Sequence, residues 1–145
     1  MLSKKQGNKL KIVLDTNILI SGIHWKGDSN KILRKWFNEE LEVISSLPII
    51  EELVRILMNF KISMSPEDIT LWEDLILQRS TIVIPDRTLD VVKEDPDDNK
   101  FLEAALKGKA DFIISQDKHL LNIKEYEEIK IMHPKDFIKL IEGIE

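Results

Sequence analysis

The stretch KIVLDTNILIS, residues 11–21, decides the fold. Ile12, Val13 and Leu14 form a short apolar run of strand length, and Asp15, Thr16 and Asn17 stop it abruptly. The residues from Asn17 to Trp25 then read as a helix. A buried strand running directly into a helix is the first half of a crossover between parallel strands. Four further runs have the same strand character: LEVIS at 41–45, TIVIP at 81–85, DFIIS at 111–115 and EIKIM at 128–132. Helical segments separate them. Residues 28–39 take Asp28 or Ser29 as a cap, and Ser46 and Pro48 open a segment with apolar residues at 49, 50, 53, 56, 57 and 60. Ser65-Pro66 starts a helix running to about Arg79, and Asp95-Pro96 starts another that ends at Lys107-Gly108 with glycine as the left-handed cap. Short helices follow Asp117 and Pro134. Alternating strands and helices predict an α/β fold, a three-layer α/β/α sandwich around a central, mostly parallel five-stranded sheet. The polar, lysine-rich residues 1–9 read as a flexible tail and residues 10–145 as a single domain.

Composition narrows the chemistry. The 145 residues carry 26 acidic and 21 basic side chains, a net charge of −5, with 43% apolar residues, enough for a core without covalent staples. There is no cysteine, which excludes disulfides, a thiolate nucleophile and thiolate-ligated zinc, and the three histidines at 24, 119 and 133 have no zinc spacing. The acidic balance argues against binding a polyanion through bulk charge but leaves a local site open. The polar break at 15–17 interrupts the N-terminal apolar stretch, so no membrane or targeting segment is expected and the cytoplasm is the expected location.

In parallel sheets, ligands bind beyond the C-terminal ends of the strands. Asp15 follows the first such strand, and Ser115-Gln116-Asp117 follows the fourth. At roughly 100° per residue, Glu52 lies on the border of the apolar stripe of its helix, and Asp98 lies on the same stripe as Phe101, Leu102 and Ala105. These four acids are candidates for one crevice. Each also has a plain structural reading: Asp15 and Asp117 as helix caps, Asp98 as a first-turn acid, Glu52 as a border residue. Together in one crevice, they would need a hard divalent cation, Mg²⁺ or Mn²⁺, with Ser115 and Asn17 orienting the carboxylates. The other acids of the 94–98 run, Asp95 among them, read as capping and solvation.

Four segments in order, KIVLDTNILIS at 11–21, IIEELVRIL at 49–57, DPDDNKFLEAAL at 95–106 and DFIISQDKHLL at 111–121, resemble the PIN-domain nucleases. The loop Trp25-Lys26-Gly27 is similar to a subgroup described as toxins of toxin–antitoxin systems. The resemblance implies that Asp15, Glu52, Asp98 and Asp117 bind Mg²⁺ or Mn²⁺, with Ser115 and Asn17 as the accompanying hydroxyl and asparagine. It implies hydrolysis of single-stranded RNA, an antitoxin partner and a homodimer. Many relatives carry a further acid two positions after the residue matching Asp117, where this chain has His119. Lys26, Lys31, Arg55, Lys100 and Lys118 are candidates for a substrate-gripping rim. Trp36 and Trp72 are expected to be buried, leaving Trp25 as the tryptophan open to contact. Two other readings stay open: a phosphohydrolase with Asp15 as nucleophile, and a non-catalytic binding module.

Overall fold

In the computed structural model, which describes residues 9–59 and 64–143, strand β1 (Leu10–Leu14) lies inside the sheet with parallel neighbours on both sides. One neighbour is β2 (Leu41–Ser45), the other β4 (Phe112–Ile114). With β3 (Ser80–Ile82), β5 (Glu125–Tyr126) and β6 (Ile129–Met132), the order is β3-β2-β1-β4-β6-β5. Every pairing is parallel except β5 with β6. The α/β architecture is therefore the expected one, but the sheet has six strands instead of five. The addition is a tight hairpin turning through Glu127 and Glu128, whose φ angles are 46° and 75°. Such turns normally announce themselves with Asn-Gly, and two glutamates give no such signal. The expected tail at 1–9 lies outside the described residues except for Lys9, as does Phe60, expected from its spacing to continue the helix opened by Pro48.

Alternation along the strands sorts the core into two layers. Ile12, Leu14, Val43, Phe112 and Ile114 face one side, with buried residues of α1 (Thr16–His24), α2 (Asp28–Phe37), α3 (Leu47–Asn59), α4 (Pro66–Arg79) and α7 (Pro134–Glu142). Val13, Ile44 and Ile113 face the other side, with α5 (Asn99–Gly108) and Leu120 of α6 (Lys118–Leu121). Trp36 is buried, as expected, and its Nε1–H donates to the Arg79 carbonyl at 3.1 Å. Trp72 is half-buried against Phe37.

Helix boundaries follow the caps, with corrections at the start of α2 and at the end of α5. Ser65 accepts from the Asp68 N–H at 3.1 Å and starts α4 as expected. For α2, however, Gly27 takes the cap position with φ 147°, and Asp28 is already helical. At the end of α5, the left-handed residue is Lys109, φ 56°, and Gly108 remains in the helix. A Cβ on Gly108 would sit 2.6 and 2.7 Å from the Ile44 side chain, so glycine there permits close approach of helix to sheet. Among the described residues no helix is long and apolar enough to cross a membrane.

The chain lays β2 and β3 to one side of β1, then returns to lay β4 on the other. The C-terminal ends of β1 and β4 therefore form a topological switch point, where the helices that follow diverge and leave a crevice.

Candidate metal centre

Asp15 stands on that crevice as the last residue tied to β1 and the N-cap of α1. Its N–H continues the sheet ladder to the Ile114 carbonyl at 3.0 Å. Its Oδ1 accepts from the Asn17 N–H at 3.0 Å, and its Oδ2 accepts from the Ser115 hydroxyl at 2.6 Å. Ser115 is fully buried, and its Oγ in turn accepts from the Asp117 N–H at 2.9 Å. Asp117 caps α6, taking the His119 N–H on Oδ1 at 2.8 Å. One chain of hydrogen bonds thus runs from β1 to β4 and fixes the orientation of both carboxylates.

Asp98 reaches the same place from a third element. Pro96 does not open an α-helix directly: Pro96–Asp98 form a 3₁₀ turn, and α5 begins at Asn99. Asn99 is buried and braces this segment, its Oδ1 accepting from the N–H groups of Val91 and Val92 at 2.9 Å each and its Nδ2 donating to the Pro96 carbonyl at 2.8 Å. The turn brings Asp95 and Asp98 to Asp117, with one oxygen of each within 4.8 Å of the others. Asp95, read from the sequence as capping and solvation, is part of this group. No signal in the run Glu94-Asp95-Pro96-Asp97-Asp98 separates it from its neighbours, because only the tight turn selects which acids converge.

Glu52 does not join the three. It accepts from the Thr16 hydroxyl at 2.5 Å and pairs with the Lys100 ammonium at 3.1 Å. Lys100 is only 9% exposed and also binds the Asp97 carboxylate at 2.5 Å, so it is an internal cation and not a residue of the rim. Lys26, Lys31, Arg55 and Lys118 are exposed, as is His119. Asn17 contributes its backbone N–H, and its side chain is exposed.

Electrostatics follow from the crowding. The Asp98 carboxyl is pushed up to about 8, first by burial, then by its hydrogen bond to Asp117 and the charges of Asp117, Asp95 and Asp15. Asp117, receiving that hydrogen bond, is held below the ordinary range. Burial raises Asp15, while Ser115 and the Asn17 N–H pull the other way. Asp98 Oδ2 is buried with no hydrogen-bond partner among the described residues. An orphaned carboxylate oxygen beside two more carboxylates, with oxygen as the sole donor type, fits a hard divalent cation.

Known proteins share both the sequence and the architecture. The PIN domain family model matches residues 11–119, which contain Asp15, Glu52, Asp95, Asp98 and Asp117. The uncharacterized protein MJ1680 of Methanocaldococcus jannaschii is 30% identical over 152 residues, covering 97% of each chain. Among solved structures, VapBC2 from Rickettsia felis, bound to a DNA fragment from its promoter, is similar with a TM-score of 0.59 at 16% identity, over 84% of this chain and 97% of that one. PAE2754 from Pyrobaculum aerophilum gives a TM-score of 0.60 at 14% identity, over 95% and 94% of the two chains. Matched along its sequence, with the acids gathered at the switch point of the same fold, the chain belongs to the PIN-domain family, a family of nucleases.

Proposed function

We propose that the protein is a divalent-metal-dependent endoribonuclease that hydrolyses phosphodiester bonds of single-stranded RNA. The observation that carries this reading is the buried Asp98 carboxyl, with an unpartnered oxygen, packed against Asp95 and Asp117. Asp15, Asp98 and Asp117, with Asp95 beside them, would hold Mg²⁺ or Mn²⁺. A cation bound there would neutralise a phosphoryl oxygen and acidify a water for attack in line with the departing 3′-oxygen. The protein's own groups prepare the place. Ser115 and the Asn17 N–H aim the two oxygens of Asp15, and Asp98 gives up its proton on cation binding. Glu52, carried by the sequence resemblance as a metal ligand, acts on this reading through Thr16 and Lys100, holding the base of the site rigid. Lys26, Lys31, Arg55 and Lys118 flank the substrate's phosphates. Asp15 is only 4% exposed with both oxygens engaged, which disfavours an aspartyl-phosphate route.

The biological setting follows from likeness to VapBC and from the Trp25-Lys26-Gly27 loop: a toxin of a toxin–antitoxin pair, acting in the cytoplasm as a homodimer held in check by an antitoxin. Purified protein should cleave single-stranded RNA with Mg²⁺ or Mn²⁺ and lose all activity in EDTA. Asp15→Asn combined with Asp98→Asn should abolish cleavage, and Ser115→Ala should lower it about 10–100-fold. Undiminished cleavage in EDTA would overturn the metal-dependent reading. Growth arrest on expression, relieved by co-expressing the product of an adjacent gene, tests the toxin role separately.

A further inference from the structure

A second concavity opens on the same C-terminal edge of the sheet, a cleft of about 290 Å³. Its walls come from the α1–α2 turn, the first turn of α2, the β4–α6 loop and the start of α7, with Trp25, Lys26, Gln116 and His133 among them. Trp25 is the only aromatic among the large apolar side chains exposed in the described residues, at 48%. Its backbone is fixed as the C-cap of α1, its N–H donating to the Ser21 carbonyl at 2.9 Å, and its indole meets the His24 ring edge-on at 5.5 Å. One part of the ring is anchored while much of the residue faces solvent. Gln116 sits between Ser115 and Asp117, so the cleft and the carboxylates share one short loop.

From this juxtaposition we propose that the cleft is a nucleobase subsite, where Trp25 stacks the base of a nucleotide adjacent to the scissile phosphate. The inference rests on the ribonuclease reading above. The lining favours a base over an anion: Lys26 and Asp28 both line the cleft, and their opposite charges offset one another, so its walls offer a phosphate no net positive charge, while exposed Lys26 stays within reach of the adjoining backbone phosphate. Hydrogen-bonding capacity matches a base edge. Gln116 offers both a donor and an acceptor, and His133, whose Nδ1 accepts from the Lys135 N–H at 3.1 Å, keeps Nε2 as its donor when neutral. Stacking on an indole tolerates any base, so the site confers a grip on single strands, in which bases are free to splay, and excludes paired ones.

The test uses single-stranded RNA oligonucleotides in which one abasic ribose is stepped along the positions flanking the cleaved bond. For the wild type, kcat/KM should fall about tenfold at one flanking position, chiefly through KM. Trp25→Ala should lose about tenfold on intact RNA and become indifferent to the abasic site there, while Trp25→Phe keeps most of the activity. In parallel, binding of intact RNA to Asp98→Asn protein should quench indole fluorescence, and adding Trp25→Phe should remove the quench. Wild-type cleavage by Trp25→Ala, or an abasic penalty that survives in it, overturns the subsite and leaves the nuclease standing. Trp25-dependent quenching without cleavage by the wild type overturns the nuclease and keeps the subsite; absence of both overturns both. If Trp25→Ala loses capture of a protein partner while cleaving RNA normally, the cleft is a protein-docking surface and the proposal fails.

Discussion

Asp98 holds its proton to about pH 8 first because its position is dehydrated and then because Asp117, Asp95 and Asp15 crowd it. The unfolded chain releases the same proton near the ordinary value of 3.8. Between those values the folded protein binds more protons, so stability falls as pH rises through the window and the loss is complete above about 8. Asp15, also raised, acts in the same sense, while the depression of Asp117 acts in the opposite one and at lower pH. Without divalent ions, the melting temperature should therefore drop by about 3 °C or more from pH 6 to pH 9. Added Mn²⁺ should restore it most at the alkaline end, where the carboxylates are already ionised. Asp98→Asn should flatten both responses; a pH series of thermal melts with and without Mn²⁺ checks all three. Sequence made part of this site legible, since Asp15, Ser115 and Asp117 lie at strand ends, where parallel sheets bind ligands. Asp95 and the Glu52–Lys100 pair were not legible, because their partners are set by a 3₁₀ turn and by contacts between α3 and α5 that leave no local pattern.

Elements declare themselves through periodicity, and deviations from it mark places where tertiary packing overrides local preference. The central strands follow their apolar runs to within a residue, since alternation places Val13, Ile44 and Ile113 on one face and their neighbours on the other. The β5–β6 hairpin gave no cue because Glu127 and Glu128 occupy a turn that favours glycine or asparagine. The end of α5 shows the same conflict in a form open to mutation. Gly108 serves contact with Ile44, so the left-handed cap passes to Lys109, a residue that pays steric strain there. Gly108→Ala should destabilise by about 1–3 kcal/mol through overpacking, whereas Lys109→Gly should stabilise by about 1 kcal/mol. Urea denaturation distinguishes the two, with midpoints moving in opposite directions. If Gly108 were itself the left-handed cap, Gly108→Ala would also destabilise, but Lys109→Gly would then bring no gain.

At the scale of the molecule, the net charge of −5 describes the site more than the surface. Asp15, Asp95 and Asp117, joined by Asp98 once it ionises above about pH 8, account for most of it, and Lys100 lies inside against Glu52 and Asp97. On the proposed ribonuclease reading, the cations available to an RNA backbone near the motif residues are the exposed Lys26, Lys31, Arg55 and Lys118, on four different elements or loops. Four scattered cations would meet only a few phosphates, so counterion release on binding such a substrate would be small. Binding to single strands generally weakens with salt at about −0.7 in log–log slope per neutralised phosphate, so two to three contacts predict a slope of about −2 for the proposed substrate. Asp98→Asn protein titrated with fluorescently labelled RNA between 50 and 200 mM salt should show that shallow dependence. Lys26→Gln and Lys118→Gln should each flatten it by about 0.7. A slope near −5 would mean that RNA follows an extended basic path elsewhere on the surface. The carboxylate crevice would then be where RNA is cut but not where it is held.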